Sequence, residues 1–317
     1  MTDVSIIIVS WNTRDLLDTC LASVYHQTGG ISFEALVVDN GSSDGTPKML
    51  RAKYPQVNLL EPGENLGFAR GNNLALRLSK GRHVLFLNPD TELHSDVISD
   101  FCEKMDGDAS IGMMGCLLTG GDGSPQLTCA ATFPGPWNVL CEGLFLHRLV
   151  KRFPRLWFFS SRSLEHWDHL TAREVDCISG AFMFCRGELV RSLGGVDDTY
   201  FMYGEDLDLC YRVFKRGYKI LFDPSHRVTH YGGESASARP GFMPRREQYR
   251  ANLMFLKKNF GKTRARTFQV TSLFTTFIRL STAGLVYLMF PTHRETARYH
   301  FKLNRALLQE VAFPARK

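Results

Sequence analysis

Residues 4–39 read VSIIIVSWNTRDLLDTCLASVYHQTGGISFEALVVD and predict a strand, a helix and a second strand. The β-branched run at 4–10 is typical of a strand that is buried in a parallel sheet. Residues 13–28 have the pattern of a helix, and residues 33–39 form the next apolar run. A strand–helix–strand unit predicts an α/β fold with a parallel sheet.

The same alternation continues to residue 90. The strand-like VNLL at 57–60 precedes a helix-like stretch at 67–81, and HVLFLNPD at 83–90 ends a further strand. Polar residues follow two of the predicted strands, namely Asp39 with the turn NGSSDGT and the tripeptide Asn88-Pro89-Asp90. Open α/β sheets bind ligands at the carboxyl ends of their strands. These residues are therefore candidates for a binding site.

A second acidic site occurs in YGEDLDLCYR at 203–212, where Glu205 and Asp206 start a predicted helix. His230 follows a predicted strand in THYGGES. Such a set can hold a metal-bound diphosphate and deprotonate a hydroxyl group. The alternatives are helix-dipole stabilisation for the acidic pair and a backbone hydrogen bond for His230, with His226 as a weaker ligand candidate.

Composition indicates a folded protein with one large core or two modest ones, since 44% of the 317 residues are hydrophobic. The eight cysteines form no CxxC motif and no cysteine–histidine cluster. They are expected to be reduced core residues in a cytosolic protein. The first apolar run is too short for a signal peptide, so we expect the N-terminus to be retained.

The N-terminal and C-terminal parts of the chain differ in net charge. Residues 1–238 carry 22 basic and 29 acidic side chains, whereas residues 239–317 carry 16 and 3. Residues 268–290, FQVTSLFTTFIRLSTAGLVYLMF, are long enough to cross a bilayer but include Arg279 and six Ser or Thr residues. We expect a helix lying on the membrane surface, with a membrane span and a buried helical hairpin as alternatives. Nucleic-acid binding is not expected.

Between residues 110 and 185 the predicted strands flank a long insert. Its segment LFLHRLVKRFPRLWFFSS at 144–161 mixes basic and large apolar side chains. This mixture suits a lipid-linked substrate or a membrane surface. The alternative is that the aromatic side chains close a small core.

Seven strings occur in the order found in glycosyltransferase family 2, and together they resemble its GT-A-fold enzymes, in particular the rhamnosyltransferase-like branch. They cover about residues 3–235 and read VSIIIVSWNT, VVDNGSSDGT, ENLGFARGNNLAL, LFLNPDT, ISGAFMFCRG, GGVDDTYFMYGEDLDLCYR and THYGGES. The resemblance implies a Rossmann-like mixed sheet flanked by helices. It implies a catalytic domain at 1–238, with a nucleotide-binding half at about 1–110 and an acceptor half at about 111–238. The remainder, 239–317, is expected to be a basic helical extension.

The resemblance also implies roles for individual residues. The family's metal motif is usually DxD, and Asn88 stands here in place of its first acid, so Asp90 is the expected ligand of Mg²⁺ or Mn²⁺. His230 is expected to be a second ligand, and Asn88 to contact the metal shell or the ribose. Asp206 corresponds to the catalytic base, with Glu205 binding the acceptor or tuning the pKa of Asp206. One base facing one leaving diphosphate implies inversion at the anomeric carbon.

For the nucleotide, Asp39 is expected to accept the N3–H of a uracil or thymine. Asp44, Gly67, Arg70 and Asn72 resemble family positions around the base, ribose and diphosphate. Each of the first three has a structural alternative: a turn cap for Asp44, a tight turn for Gly67 and a surface salt bridge for Arg70.

The donor implied by the resemblance is dTDP-L-rhamnose, and the acceptor is a polyprenyl-diphosphate-linked saccharide at the inner face of the cell membrane. The alternatives are another UDP- or dTDP-hexose, or a non-catalytic glycan-binding relative. A nucleotidyltransferase would need a Gly-rich loop with a basic residue after the first strand. A dinucleotide oxidoreductase would need GxGxxG there, and the sequence has neither.

Overall fold

A computed structural model of the protein describes residues 2–146, 153, 167, 169–200, 204–232 and 243–312. The side chains of 243–245 and 312 are not among the described atoms. Most of the predicted membrane or lipid segment at 144–161 lies outside the described residues.

The strands are numbered in chain order: β1 Val4–Ser10, β2 Phe33–Asp39, β3 Asn58–Leu60, β4 His83–Leu87, β5 Thr91–Leu93, β6 Ile111–Thr119, β7 Ala130–Ala131, β8 Arg173–Glu174, β9 Cys177–Ile178, β10 Phe182–Arg186 and β11 Lys219–His230. The helices are α1 Arg14–Gln27, α2 Thr46–Lys53, α3 Gly67–Leu78, α4 Val97–Gly107, α5 Pro136–Gly143, α6 Gly187–Ser192, α7 Glu205–Lys215, α8 Met243–Met289 and α9 Arg294–Ala312. Short 3₁₀ turns lie at Leu127–Cys129 and Pro291–His293.

A nine-stranded mixed sheet forms the centre of the fold, with the order β3-β2-β1-β4-β10-β6-β11-β5 and β8 paired to β11. β1, β2, β3 and β4 are parallel, while β10 runs antiparallel between β4 and β6. β11 runs parallel to β6, and β5 runs antiparallel to β11. The expected mixed α/β sheet is confirmed, and β10 introduces its change of direction.

Burial follows the sequence pattern. Every residue of β1, β4 and β6 is buried, as expected for strands covered on both faces. Helix α1 buries Leu17, Cys20, Leu21 and Val24, which recur at helical spacing. Helix α3 contacts β1 and β2, and α4 contacts β6 and β10. All eight cysteines are buried and free, as the expected reduced core requires.

The chain divides into two compact units. One comprises Met1–Ala131 and Trp167–Gly233, and contains the sheet. The other comprises Thr132–His166 and Glu234–Lys317. The described residues 132–146 belong to this second unit, and the expected catalytic domain at 1–238 stays a prediction.

Within the second unit, α8 bends at Gly261, whose φ of 84° and ψ of 172° are not helical. Residues 262–289 continue as a helix beyond that bend. Helix α9 returns alongside it, because Gln269 Nε2 donates to the carbonyl of Val311 near its end, and Arg298 donates to the hydroxyl of Tyr287 near its start. Residues 262–289 and α9 therefore form an antiparallel hairpin.

Candidate active site

Residues 88–91 make a tight turn where β4 ends. The backbone N–H of Asn88 donates to the carbonyl of Ala181 at 3.0 Å, which continues the pairing between β4 and β10. The hydroxyl of Thr91, which is fully buried, donates to the carbonyl of Asn88 at 2.7 Å. These two bonds hold the Asn88-Pro89-Asp90 tripeptide at the carboxyl end of the sheet, as the sequence predicted.

His230 reaches this turn through strand pairing. β11 runs antiparallel to β5, and His230 is the register partner of Thr91. Its Nε2 atom lies 3.4 Å from Asp90 Oδ1 and 3.3 Å from Asn88 Nδ2. Two segments far apart in sequence thus bring a carboxylate, an amide and an imidazole together, as predicted.

Gln126 is a further member of this cluster that the sequence reasoning missed. Its Nε2 donates to the carbonyl of His230 at 2.7 Å, and its Oε1 lies 2.9 Å from His230 Nδ1. A carbonyl only accepts hydrogen bonds, so the first contact settles which way the Gln126 amide faces. Oε1 must then accept from Nδ1–H, and the lone pair of a neutral His230 lies on Nε2, towards Asp90.

The position of Gln126 depends on a hairpin turn after β6. The Asp122 carboxylate accepts hydrogen bonds from the backbone and hydroxyl groups of Ser124, and Gln126 N–H donates to the carbonyl of Leu118 at 2.8 Å. The chain thereby folds back along β6 towards the end of β11. The Gly-rich string GGDGSP at 120–125 signals the turn, but a turn signal alone does not reveal which side chain lies opposite Gln126.

The donor set fits a divalent cation. The Asn88 side-chain oxygen is buried without a hydrogen-bond partner. The 3.4 Å between Asp90 Oδ1 and His230 Nε2 suits shared coordination, since metal–oxygen and metal–nitrogen bonds of such ions are about 2.0–2.2 Å. If Asp90 and His230 both bound such an ion, diphosphate oxygens and water could supply its other ligands. Carboxylate and imidazole ligands are compatible with Mn²⁺ as well as Mg²⁺.

One other group of potential ligands occurs among the described residues, formed by His83, Cys102 and Asp106. Arg82 donates to Cys102 Sγ at 3.4 Å and forms an ion pair with Asp106. A guanidinium group bound to two of the three potential ligands opposes a cation at that position. His83 begins β4, at the opposite end from Asn88, so this group is separate from the site.

Asp206 lies at the same end of the sheet, in the first turn of α7. Its Oδ2 accepts from the backbone N–H of Gly180 at 3.1 Å, and its Oδ1 accepts from that of Leu207 at 2.8 Å. Gly180 directly precedes Ala181, which pairs with Asn88, so a short hydrogen-bonded path joins Asp206 to the Asn88 turn. The two acidic sites therefore meet at one edge of the sheet.

Burial controls the ionisation of the acidic pair. It raises the pKa of Asp206, against the backbone N–H donors of Leu207, Gly180 and Gly204 that lower it. Burial, and then the neighbouring charge of Asp206, raise the pKa of Glu205 to about 8. Glu205 Oε2 is buried with no hydrogen-bond partner. Helix-dipole stabilisation alone does not account for two neighbouring half-buried acids whose pKa values are both raised.

Asp39 is the last residue of β2, and only one of its two carboxylate oxygens accepts a hydrogen bond. Its Oδ2 accepts from the backbone N–H of Ser42 at 3.0 Å, whereas its Oδ1 is buried without a partner. Buried polar atoms are normally satisfied, so this oxygen is suited to a donor from a ligand. Trp11, which the sequence reasoning did not select, follows β1 at the same sheet edge and is 47% exposed.

The remaining predicted nucleotide residues have different environments. Asp44 accepts from Arg14 N at 2.8 Å and from Thr46 N and Oγ1 at 3.0 and 2.7 Å, which is the turn cap named as its alternative. Burial alone would raise the pKa of Asp44, but these hydrogen bonds outweigh burial and lower it. Gly67 has a φ of +78°, so it serves the turn into α3.

Arg70 and Asn72 also take part in contacts within the protein. Arg70 Nε lies 3.4 Å from Asp198 Oδ2 in an exposed ion pair, as its structural alternative proposed. Asn72 is 1% exposed, and its amide donates to the carbonyl of Phe68 in its own helix. In this conformation the Asn72 amide is not accessible to a ligand, so the structure lends no support to the expected contact. Nucleotide binding by Arg70 remains a prediction.

His226, the weaker ligand candidate, has both ring nitrogens engaged. Its Nδ1 lies 2.7 Å from Ser95 Oγ, and its Nε2 lies 3.1 Å from Asp100 Oδ2. These contacts bind β11 to Ser95 before α4 and to Asp100 within α4. His226 therefore has a structural environment that differs from that of His230.

Comparison with known proteins identifies the family of this chain. Residues 5–166 match the sequence profile described as Glycosyl transferase family 2, and residues 138–303 match one described as Glycosyl transferase family group 2. The chain is 30% identical over 253 residues to the N-acetylglucosaminyl-diphospho-decaprenol L-rhamnosyltransferase of Mycobacterium tuberculosis, covering 76% of this chain and 80% of the relative. The chain belongs to glycosyltransferase family 2.

Two further similarities are to a relative of known name and to a solved structure. A rhamnosyltransferase of Escherichia coli strain K12 is 26% identical over 236 residues, which cover 72% of this chain and 83% of the relative. The mannosyltransferase of Pyrobaculum calidifontis, solved in complex with GDP-Man and Mn²⁺, superposes with a TM-score of 0.63 at 16% identity, over 99% of this chain and 88% of that structure. The protein is thus a glycosyltransferase of GT-A fold, related to the rhamnosyltransferases of family 2.

Proposed function

We propose that the protein transfers L-rhamnose from dTDP-L-rhamnose to a lipid-linked or polysaccharide acceptor, with inversion at the anomeric carbon and with Mg²⁺ or Mn²⁺ bound. The observation that carries this proposal is the meeting of two acidic sites at the end of β4. Asp90 lies there beside His230, and Asp206 is joined to the same turn through Gly180 and Ala181. The sugar specificity is supported by the relatives, two of which are named as rhamnosyltransferases.

The nucleotide base would be bound at the ends of β1 and β2. The free Oδ1 of Asp39 can accept the N3–H of thymine or uracil, which adenine lacks. The exposed indole of Trp11 offers a flat apolar surface against which the base can stack. The two loops are braced against each other, since Asn12 Oδ1 accepts from Ser43 N at 2.8 Å and Asn12 N donates to Ser42 Oγ.

Asp90 and His230 would hold the cation, with the Asn88 oxygen beside it. A bound divalent cation neutralises charge on the leaving diphosphate. The contribution of this chain is to fix the ligands before the donor arrives: the turn at 88–91 is hydrogen-bonded to β10, and Gln126 orients the His230 ring. Ligands held in advance need little reorganisation when charge develops.

Asp206 would act as the base in a single displacement. The acceptor hydroxyl gives its proton to the Asp206 carboxylate as its oxygen bonds to the anomeric carbon. The bond from that carbon to the phosphate oxygen breaks, and the diphosphate departs with the electron pair. Burial raises the pKa of Asp206 and so makes it a better proton acceptor than an exposed aspartate, while Gly180 and Leu207 keep its carboxylate oriented.

The acceptor and the cellular location complete the proposal. The Mycobacterium relative is named for an acceptor that carries a polyprenyl diphosphate, and a polyprenyl-linked saccharide is proposed here by analogy. The basic C-terminal unit supports a position at the membrane surface. The enzyme would act from the cytoplasmic side, where nucleotide sugars are made.

A panel of nucleotide sugars tests the donor directly. Thermal unfolding is followed with dTDP-rhamnose, UDP-hexoses and GDP-mannose, each with Mg²⁺, with Mn²⁺ and with chelator. We expect the largest cation-dependent rise in Tm with dTDP-rhamnose, followed by release of dTDP when a lipid-linked saccharide is added. A larger rise in Tm with the nucleotide form of another hexose would mean that this hexose, and not rhamnose, is the donor sugar. Donor binding without any turnover would favour the non-catalytic alternative.

A further inference from the structure

The helix formed by residues 262–289 is polar inside and apolar outside, the reverse of a helix in a water-soluble protein. Its buried positions are occupied by one large apolar side chain, Phe268, and otherwise by small or hydroxyl-bearing residues, namely Ala265, Ser272, Thr275, Thr276 and Ala283. The large apolar side chains instead face outward. Val270, Phe277 and Leu288 are 65%, 64% and 72% exposed.

The outward residues share one side of the helix, which is called here the apolar face. Apart from the adjacent pair Leu273 and Phe274, successive members are three or four residues apart, as one helical stripe requires. The members are Val270, Leu273, Phe274, Phe277, Ser281, Leu285 and Leu288. Only 17% of the most apolar stretch of this helix is buried. Soluble proteins rarely expose a continuous apolar surface of this extent without a partner.

The buried side of the helix is packed as helices pack in lipid. On this side, the hydroxyl of Thr275 donates to the carbonyl of Thr271 at 2.9 Å, so its polarity is satisfied within the helix. The exposed Thr267 and the half-buried Thr271 make the same kind of bond, at 3.1 and 2.8 Å. A Cβ added to Gly143 of α5 would lie 2.2 Å from Thr275 Cβ, which shows how closely the two helices approach. Close contact through small residues is typical of helix association in bilayers.

Arg279 does not interrupt the apolar face. Its guanidinium donates to Glu142 Oε1 at 2.9 Å and to the carbonyl of Glu142 at 3.0 Å, at the end of α5. Its carbon Cζ also lies 5.6 Å from the centre of the Phe145 ring. The charge near the centre of the apolar segment is therefore paired and directed away from the exposed stripe.

The basic side chains of α9 favour a hairpin that lies on the membrane over one that crosses it. Because α9 is antiparallel to residues 262–289, a hairpin that crossed the bilayer would carry Arg294, Arg298, Lys302 and Arg305 into the hydrocarbon layer. Each of these side chains costs about 2.5–3.5 kcal/mol at the centre of a membrane helix. A hairpin lying in the plane of the interface leaves all four near the lipid head groups.

We propose that the hairpin of residues 262–289 and α9 lies flat in the head-group layer of a bilayer that contains anionic lipid, with the apolar face directed towards the acyl chains. Residues 262–312 contain eight Lys or Arg side chains against two Glu, and one of the latter, Glu310, is bound by Arg246 and Arg250. Charge and apolar surface together match an interfacial helix. This inference rests on the proposed function and deepens it by assigning the residues of the C-terminal unit that contact the membrane and the orientation of the hairpin.

Flotation with liposomes tests the apolar face in the full-length chain. The double variant Phe277→Ser with Leu288→Ser should bind more weakly to vesicles that contain phosphatidylglycerol. The partition coefficient of the protein between water and these vesicles should fall by about tenfold per substitution. The matched control is Leu78→Ser, at an apolar side chain that is 50% exposed at the end of α3 in the other unit. Both altered side chains of the double variant are exposed, so its Tm should match the parent. Equal flotation of parent and double variant would overturn the proposal.

The depth of the apolar face in the bilayer is measured with a fluorophore. All eight native cysteines are buried, so a cysteine introduced by Ser281→Cys on the apolar face can be labelled selectively with an environment-sensitive dye. We expect a blue shift on adding vesicles, with stronger quenching by lipids spin-labelled near the head group than by lipids labelled near the bilayer centre. Stronger quenching at the centre would mean a span, and an unchanged spectrum would mean no insertion. Either result overturns the proposal.

These readouts are independent of the sugar chemistry. The thermal shift with dTDP-rhamnose and Mn²⁺ is recorded for the same variants, and it should be unchanged when flotation is lost. If dTDP-rhamnose fails to bind while flotation behaves as expected, the donor assignment is wrong and the membrane surface stands. If the donor binds while flotation does not depend on the apolar face, the membrane proposal fails alone.

Discussion

Gln126 should control the affinity of the site for metal, although it is not placed as a ligand. The informative change is Gln126→Met, which keeps the length of the side chain and removes both of its hydrogen bonds to His230. Without Gln126 Oε1, the His230 ring can rotate, and its proton can move to Nε2. In that form the nitrogen that lies 3.4 Å from Asp90 Oδ1 has no lone pair for a cation.

The size of the effect follows from the two contacts, at 2.7 and 2.9 Å. A hydrogen bond in a protein contributes about 0.5–1.5 kcal/mol net, so the pair is worth about 1–3 kcal/mol. Loss of a residue that orients a metal ligand typically weakens metal binding about 10- to 100-fold. We therefore expect the dissociation constant for Mn²⁺ in the presence of dTDP to rise about 10- to 100-fold in Gln126→Met.

Free Mn²⁺ is measured by electron paramagnetic resonance during titration of the protein, which requires no turnover. Gln126→Glu is the matched control: like Met it loses the hydrogen bond to the His230 carbonyl, but its carboxylate still accepts from His230 Nδ1–H, so it should retain more of the affinity than Gln126→Met. In a His230→Ala background, Gln126→Met should have little further effect. Two results would contradict this reasoning: an equal loss of Mn²⁺ affinity in Gln126→Met and Gln126→Glu, or the same loss from Gln126→Met when His230 is already alanine. Either would mean that Gln126 affects metal binding through the stability of the fold and not through the His230 imidazole.

Three further predictions concern the carboxylates. Asp206→Asn should reduce turnover by at least about a thousandfold, while calorimetry still detects donor binding; near-normal turnover would remove Asp206 as the base. The pKa of Glu205 is about 8 in the fold and 4.5 in the unfolded chain, so the fold loses stability as pH rises between these values. Glu205→Gln should therefore have a higher Tm than the parent at pH 9 and an equal Tm near pH 5, and a constant difference across pH would refute the assignment. Asp39→Ala should weaken dTDP binding by about 10- to 100-fold, from loss of a charge-assisted hydrogen bond, and reduce the preference for dTDP over CDP in calorimetry.

Much of the catalytic unit was predictable because its signals are local. The β-branched run at 4–10 predicted a strand buried in the centre of the sheet, and β1 is fully buried. Asp90 and Asp206 were selected from short strings that begin or end predicted elements, and the structure brings both to the end of β4. The Asp44 turn cap was also foreseeable as an alternative, because its partner Thr46 is two residues away in sequence.

Other features depend on contacts between distant parts of the chain. Gln126 lies 104 positions from His230, and only the hairpin after β6 brings them together. The burial of Asn72 depends on how α3 packs against β1 and β2. No local pattern reports these distances, because side-chain neighbours across a sheet are set by strand order and register.

The C-terminal unit shows the same division. An apolar helical segment at 268–290, a basic tail and an arginine within the apolar run can all be recognised from the amino-acid order. The pairing of Arg279 with Glu142, 137 positions away, and the outward direction of the large apolar side chains are visible only in the folded protein. Helix periodicity defines which residues share a face, whereas the direction of that face depends on the helices packed against it.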